Sequence, residues 1–155
     1  GWSTSPFNLY PAKGRYMIRD IERLAAARGL VFHIPDPFPQ NSLFAARIAT
    51  VGTTAGWAPR FVKAVLDAEF ARRSDISDPA VLRAIVSSLS LDPNVVFELA
   101  DSNATKARLR EATAEAMQLG LFGAPSFVTA DGEVFWGDDR LEQALAWARS
   151  KVNEH

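Results

Sequence analysis

The sequence predicts an α/β fold that is mostly helical, and three observations predict it. Apolar residues recur at helical spacing in successive stretches from Met17 to Leu119, Asp131-Gly132 marks one hairpin, and a last helical stripe begins at Leu141. The 155 residues are 48% apolar and 23% charged, a composition that supports a single globular domain with its own core.

The elements follow in order. Gly1 to Pro11 reads as an irregular opening, after which Met17, Ile21, Leu24 and Ala25 form an amphipathic stripe that Gly29 stops. Pro35, Pro37 and Pro39 make the stretch from Val31 to Gln40 an extended loop. Helical spacing returns at Phe44, Ile48 and Val51, pauses from Gly52 to Gly56, and resumes at Phe61, Val62, Val65, Leu66 and Phe70. Asp78-Pro79 and Asp92-Pro93 each read as an N-cap with proline at the first helical position. Asn103 is expected to cap the helix striped by Leu109, Ala112, Ala116 and Leu119, with Gly120 just past its end. Ser126 to Ala130 and Glu133 to Trp136 then read as strands joined by a two-residue turn at Asp131-Gly132. A final helix carries Leu141, Ala144, Leu145, Ala148 and Val152 on one face.

Composition also excludes function classes. With 17 basic and 18 acidic residues in no long block, no field would draw nucleic acid or an anionic membrane, so small molecules or proteins are the expected partners. No apolar stretch reaches the ~20 residues of a membrane helix, and the first residues lack a signal-peptide pattern, so the chain reads as cytoplasmic. The absence of cysteine excludes a disulfide framework, thiolate metal sites and thiol chemistry by the protein itself. His33 and His155 lie far apart in the sequence, and no metal site is expected.

The segment Gly123-Ala124-Pro125-Ser126-Phe127-Val128, followed by Trp136-Gly137-Asp138-Asp139-Arg140-Leu141, resembles the end of thioredoxin-like domains. That resemblance implies that Pro125 is a cis-proline and that Ala124 offers its backbone N–H and C=O to an extended peptide ligand. The alternative is an ordinary turn before a strand. Asp138 and Asp139 stand where the last helix begins, where free N–H groups suit an anion and a carboxylate suits an ammonium group. Alternatively, one of them only caps the helix.

Pro11-Ala12-Lys13-Gly14-Arg15-Tyr16-Met17, Asp20 and Phe38-Pro39-Gln40-Asn41-Ser42-Leu43, with the two later segments, resemble the 2-hydroxychromene-2-carboxylate isomerases over nearly the whole chain. These belong with the DsbA-like proteins and the kappa-class glutathione transferases. The resemblance implies a thioredoxin-like fold with a large helical insertion, a homodimer, glutathione as cofactor and a small aromatic substrate. Residues 1–14 would be a loop leading into the insertion, 15–102 the insertion, and 103–155 the C-terminal half of the thioredoxin-like domain. Ala124, Pro125, Trp136, Gly137, Asp138 and Asp139 would hold glutathione, and Lys13 and Asn41 the substrate. The implied reaction is a cis/trans isomerisation of a hydroxychromene carboxylate and its ring-opened form, in which a glutathione thiolate adds to a double bond and then leaves.

The match departs at the start. The family's first strand, helix and second strand have no counterpart here, so the N-terminal part of the thioredoxin domain is missing, and the chain reads either as a fragment of a longer enzyme with little activity alone, the favoured reading, or as a shortened relative that folds by swapping or dimerising. The family's catalytic serine precedes a proline and an aromatic residue. Ser5-Pro6-Phe7 has that pattern, but only four residues precede it, too few for a central strand. The segment fits better as the family's Pro-rich loop, with Thr4 replacing an asparagine, and the catalytic residue stays unassigned. Three other readings remain open: a kappa-class-like glutathione transferase, a catalytically silent module that binds glutathione or a peptide, and a purely helical scaffold in which the end hairpin only packs the core.

Overall fold

The computed structural model describes residues 10–152, so Thr4, the Ser5-Pro6-Phe7 motif and His155 lie outside the described residues. The chain divides into two compact units, Gly1–Lys106 and Ala107–His155. The first holds α1 (Pro11–Ala27), α2 (Leu43–Ala55), α3 (Ala58–Leu66) continued by a π-helical turn (Asp67–Ala71), α4 (Pro79–Ser88) and α5 (Pro93–Asp101). The division falls inside α6 (Asn103–Gln118). The second unit continues with the antiparallel hairpin of β1 (Ser126–Val128) and β2 (Val134–Trp136), a 3-10 turn (Asp138–Arg140) and α7 (Leu141–Val152). Helices thus dominate an α/β chain, as the sequence predicts.

Local chemistry sets the helix ends. Asp78 Oδ1 accepts the N–H of Ala80 at 2.8 Å and Asp92 Oδ1 that of Asn94 at 2.8 Å, with prolines at the first helical positions, as expected. Gly29, Gly56 and Gly120 stand just past helix ends with positive φ, which closes those ends without a Cβ penalty.

Several boundaries differ from expectation. Residues 11–14 are the first turn of α1 rather than loop, because Pro11 suits the first helical position. The helix α2 does not pause at Gly52 but runs on to Ala55. Gly52 is needed there because a Cβ would fall 2.5 Å from Trp57 Cε3. Ser102, not Asn103, caps α6: Thr105 N–H donates to its Oγ at 3.2 Å, and Asn103 is already helical. The hairpin loop has three residues, Ala130 to Gly132. A two-residue type I′ turn requires positive φ at both Asp131 and Gly132, and only Gly132 has it.

The core of the first unit is built from α2 to α5, with Ile48, Phe61, Leu82 and Val86 almost fully buried. Each such side chain contributes roughly 1.5–3 kcal/mol. The loop between α1 and α2 is pinned to the π-helical turn: His33 N–H donates to Phe70 C=O at 2.7 Å, and Phe32 stacks on the Phe70 ring at 5.6 Å. Gln40 Oε1 accepts the N–H of Ile76 at 2.9 Å. In the second unit the predicted α7 face is mostly unburied: Ala144 is buried, while Leu141 and Leu145 stay exposed above a two-stranded hairpin too narrow to cover them. No helix among the described residues is long and apolar enough to cross a membrane.

Candidate functional site

The hairpin register pairs Ser126 with Trp136, Phe127 with Phe135 and Val128 with Val134. Thr129 N–H donates to Glu133 C=O, and Gly137 N–H donates to Pro125 C=O at 3.0 Å. Antiparallel pairs alternate between bonded and non-bonded positions, so Phe127 faces β2 while the backbone groups of Ser126 and Val128 face the outer edge of β1. Among the described residues no third strand occupies that edge. The Ala124–Pro125 peptide is cis, and both residues are exposed rather than sealed beneath neighbours. Gly123 lies under the Trp136 indole, which also meets the Phe122 ring at 5.1 Å.

From β2 the chain turns into α7 at Gly137, whose φ of 122° and ψ of 149° are open in practice only to glycine. A Cβ at Gly137 would also fall 2.7 Å from Asp139 Oδ1, so that carboxylate folds back over the turn. Its Oδ2 accepts from the Arg140 guanidinium at 2.8 Å, in an ion pair with both partners well exposed. Asp138 is exposed at the start of the same 3-10 turn. The hydrogen bond from Gly137 to Pro125 therefore ties the start of this turn to the residue before β1.

In the sequence Asp131 reads only as a turn residue. Its Oδ1 accepts the Thr129 hydroxyl, and its Oδ2 accepts Trp147 Nε1–H at 2.9 Å, joining the hairpin tip to α7. Those hydrogen bonds, the Thr129 one first, hold its carboxyl below the ordinary Asp range. An Asp followed sixteen residues later by a helical Trp is no local motif, so no sequence signal pointed to it.

In the first unit Lys13 is exposed in the first turn of α1. Asn41 Oδ1 accepts the N–H of Leu43 at 3.1 Å, so Asn41 braces the start of α2. Neither a hydrogen bond nor an ion pair joins Lys13 to Asn41. The next residue, Ser42, borders an apolar groove of about 170 Å³ between α2 and α3, walled by Ala45, Ala49, Phe61 and Val65. Glu69, one turn beyond Val65, is 7% exposed, and burial raises its carboxyl above the ordinary Glu range. Among the described residues no group of three or more His, Cys, Asp or Glu could hold a metal ion.

The family described as the DSBA-like thioredoxin domain matches residues 3–146. The chain is 31% identical over 130 residues to a 2-hydroxychromene-2-carboxylate isomerase of Sphingobium xenophagum, covering 84% of this chain and 65% of the relative. It is 27% identical over 150 residues to glutathione S-transferase kappa 1 of Homo sapiens, covering 88% of this chain and 66% of the relative. A solved structure of 2-hydroxychromene-2-carboxylate isomerase superposes with a TM-score of 0.76 at 22% identity, over 97% of this chain and 72% of that one. The chain therefore spans just under two thirds of the length of both curated relatives.

Proposed function

The chain belongs to the DSBA-like thioredoxin domain family, and from that premise we propose that it is the greater part of a glutathione-dependent isomerase acting on 2-hydroxychromene-2-carboxylate-type aromatic catabolites. The observation that carries this reading is the second unit's pairing of an outward-facing strand edge with a helix start, tied together by the hydrogen bond from Gly137 to Pro125. An extended tripeptide needs backbone donors and acceptors along one edge and a polar place for its charged end. Ala124, Ser126 and Val128 supply the first, and Gly137, Asp138 and Asp139 the second, with the Trp136 indole beside them. These residues fit glutathione. Residues 15–102 then form the helical insertion, and residues 103–155 the C-terminal half of the thioredoxin-like domain.

When bound, glutathione supplies the thiolate that this cysteine-free chain lacks. The protein's own groups orient the substrate. The Lys13 ammonium pairs with its carboxylate. The Asn41 amide keeps two N–H donors beyond the bond that its oxygen accepts. The apolar groove beside Ser42 accepts the aromatic ring. We place the protein in the cytoplasm as a homodimer, a state that the exposed apolar side chains of Tyr16, Ile21 and Leu24 on α1 support.

Following isomerisation of a hydroxychromene carboxylate by absorbance, with and without glutathione, tests this reading. A slow rate that rises with glutathione to saturation is expected, and the same rate without glutathione contradicts it. The 27% identity to the kappa-class transferase favours a second reading, conjugation of glutathione to electrophiles. A nitrochlorobenzene acceptor turned over faster than the chromene would favour the transferase.

A further inference from the structure

We infer that Asp131 is a positioning residue for the glutathione site, fixing the start of α7 beside the outer edge of β1; this rests on the glutathione reading above. The helix α7 is tethered to the hairpin at two places. At its start, Gly137 N–H bonds Pro125 C=O at 3.0 Å. At Trp147, six residues and about 9 Å into the helix by helical rise, the indole N–H bonds Asp131 Oδ2 at 2.9 Å, while the other oxygen of that carboxylate takes the Thr129 hydroxyl. The Trp147 ring also meets Phe135 of β2 at 6.3 Å. The hydrogen bond at Gly137 holds only the approach to the helix, so the bond at Trp147, together with the packing of buried Ala144, is what restrains a swing of the helix about that glycine. The residues that swing would displace are Asp138 and Asp139, the ones assigned to the charged end of the tripeptide. Asp131 touches no part of that site. It acts through Trp147 and the helix.

The test uses Asp131→Ala, Asp131→Asn and Trp147→Phe in the intact chain, with glutathione affinity by calorimetry and amide hydrogen exchange from Asp138 to Leu141. Asp131→Ala and Trp147→Phe should each weaken binding about fivefold to tenfold, within the range expected when the net contribution of one ordinary hydrogen bond is lost. Both should speed exchange across the 3-10 turn, and the double variant should be no worse than either single one. Asp131→Asn keeps an oxygen for the indole N–H and should retain wild-type affinity and exchange, which a role depending on charge would not allow. Unchanged exchange from Asp138 to Leu141 in Asp131→Ala, or wild-type affinity in that variant, overturns the inference. A wild-type chain that binds no glutathione overturns the functional reading, and the assigned role of Asp131 falls with it.

Discussion

The Trp136 indole lies so close over Gly123 that a Cβ on that glycine would fall 2.5 Å from its Nε1. Only a residue without a side chain leaves the ring in that place, directly before the Ala124–Pro125 peptide. Trp136 is 53% exposed and can turn away into solvent. Gly123→Ala should therefore move the Trp136 indole N–H resonance while changing stability by less than about 1 kcal/mol, as expected of surface changes. Indole resonances and urea unfolding of the same variant check both halves.

Gly52→Ala should behave differently. Its new Cβ meets Trp57 at 2.5 and 2.6 Å and the Ala58 backbone at 3.0 Å, and Trp57 packs on buried Phe61 with ring centres 5.9 Å apart. Overpacking of this kind costs about 1–3 kcal/mol, which outweighs the gain of up to about 1 kcal/mol in helix propensity. A lower urea midpoint is expected, and an unchanged midpoint contradicts it.

Removing either aspartate cap tests the local account of α4 and α5. Asp78→Ala and Asp92→Ala should each lose about 1 kcal/mol, read as a shift in urea midpoint with unchanged slope. These caps were legible in the sequence because Asp-Pro acts within one turn. The same is true of Gly29 and Gly120 at helix ends, whereas the end at Gly56 was blurred by a second glycine, Gly52, inside the helix. Burial on α7 was not legible, since the Leu141 and Leu145 stripe records only that one face is apolar, whereas exposure depends on the width of the sheet beneath. At the site, the Ala124-Pro125 and Asp138-Asp139 segments stood out by their order in the chain. The bond from Asp131 to Trp147 did not, because it depends on how the hairpin folds onto the helix.

The pH dependence of stability has two limbs of opposite sign. Asp75, Asp101 and Asp131 have carboxyls held below the ordinary Asp value of 3.8, chiefly by hydrogen bonds from Ser77, Lys106 and Thr129. Their contributions are complete above that value and are lost as pH falls through the lower folded-state values. Glu69 is raised above its ordinary 4.5 by burial, so stability falls as pH rises from that value through the raised one. Glu69→Gln should therefore unfold at a higher urea concentration than wild type at pH 8 and at nearly the same concentration at pH 4. Equal differences at both pH values contradict the assignment.

Glutathione is expected to lie along β1 with its charged end at the start of α7. The most direct measurement is a titration of the isotopically labelled chain with glutathione, followed by amide resonances. Saturable shifts concentrated at Ala124, Ser126, Val128 and Gly137 to Leu141, and abolished by Asp139→Ala, are predicted. No shift at these amides, or shifts confined to the helical unit, would contradict it.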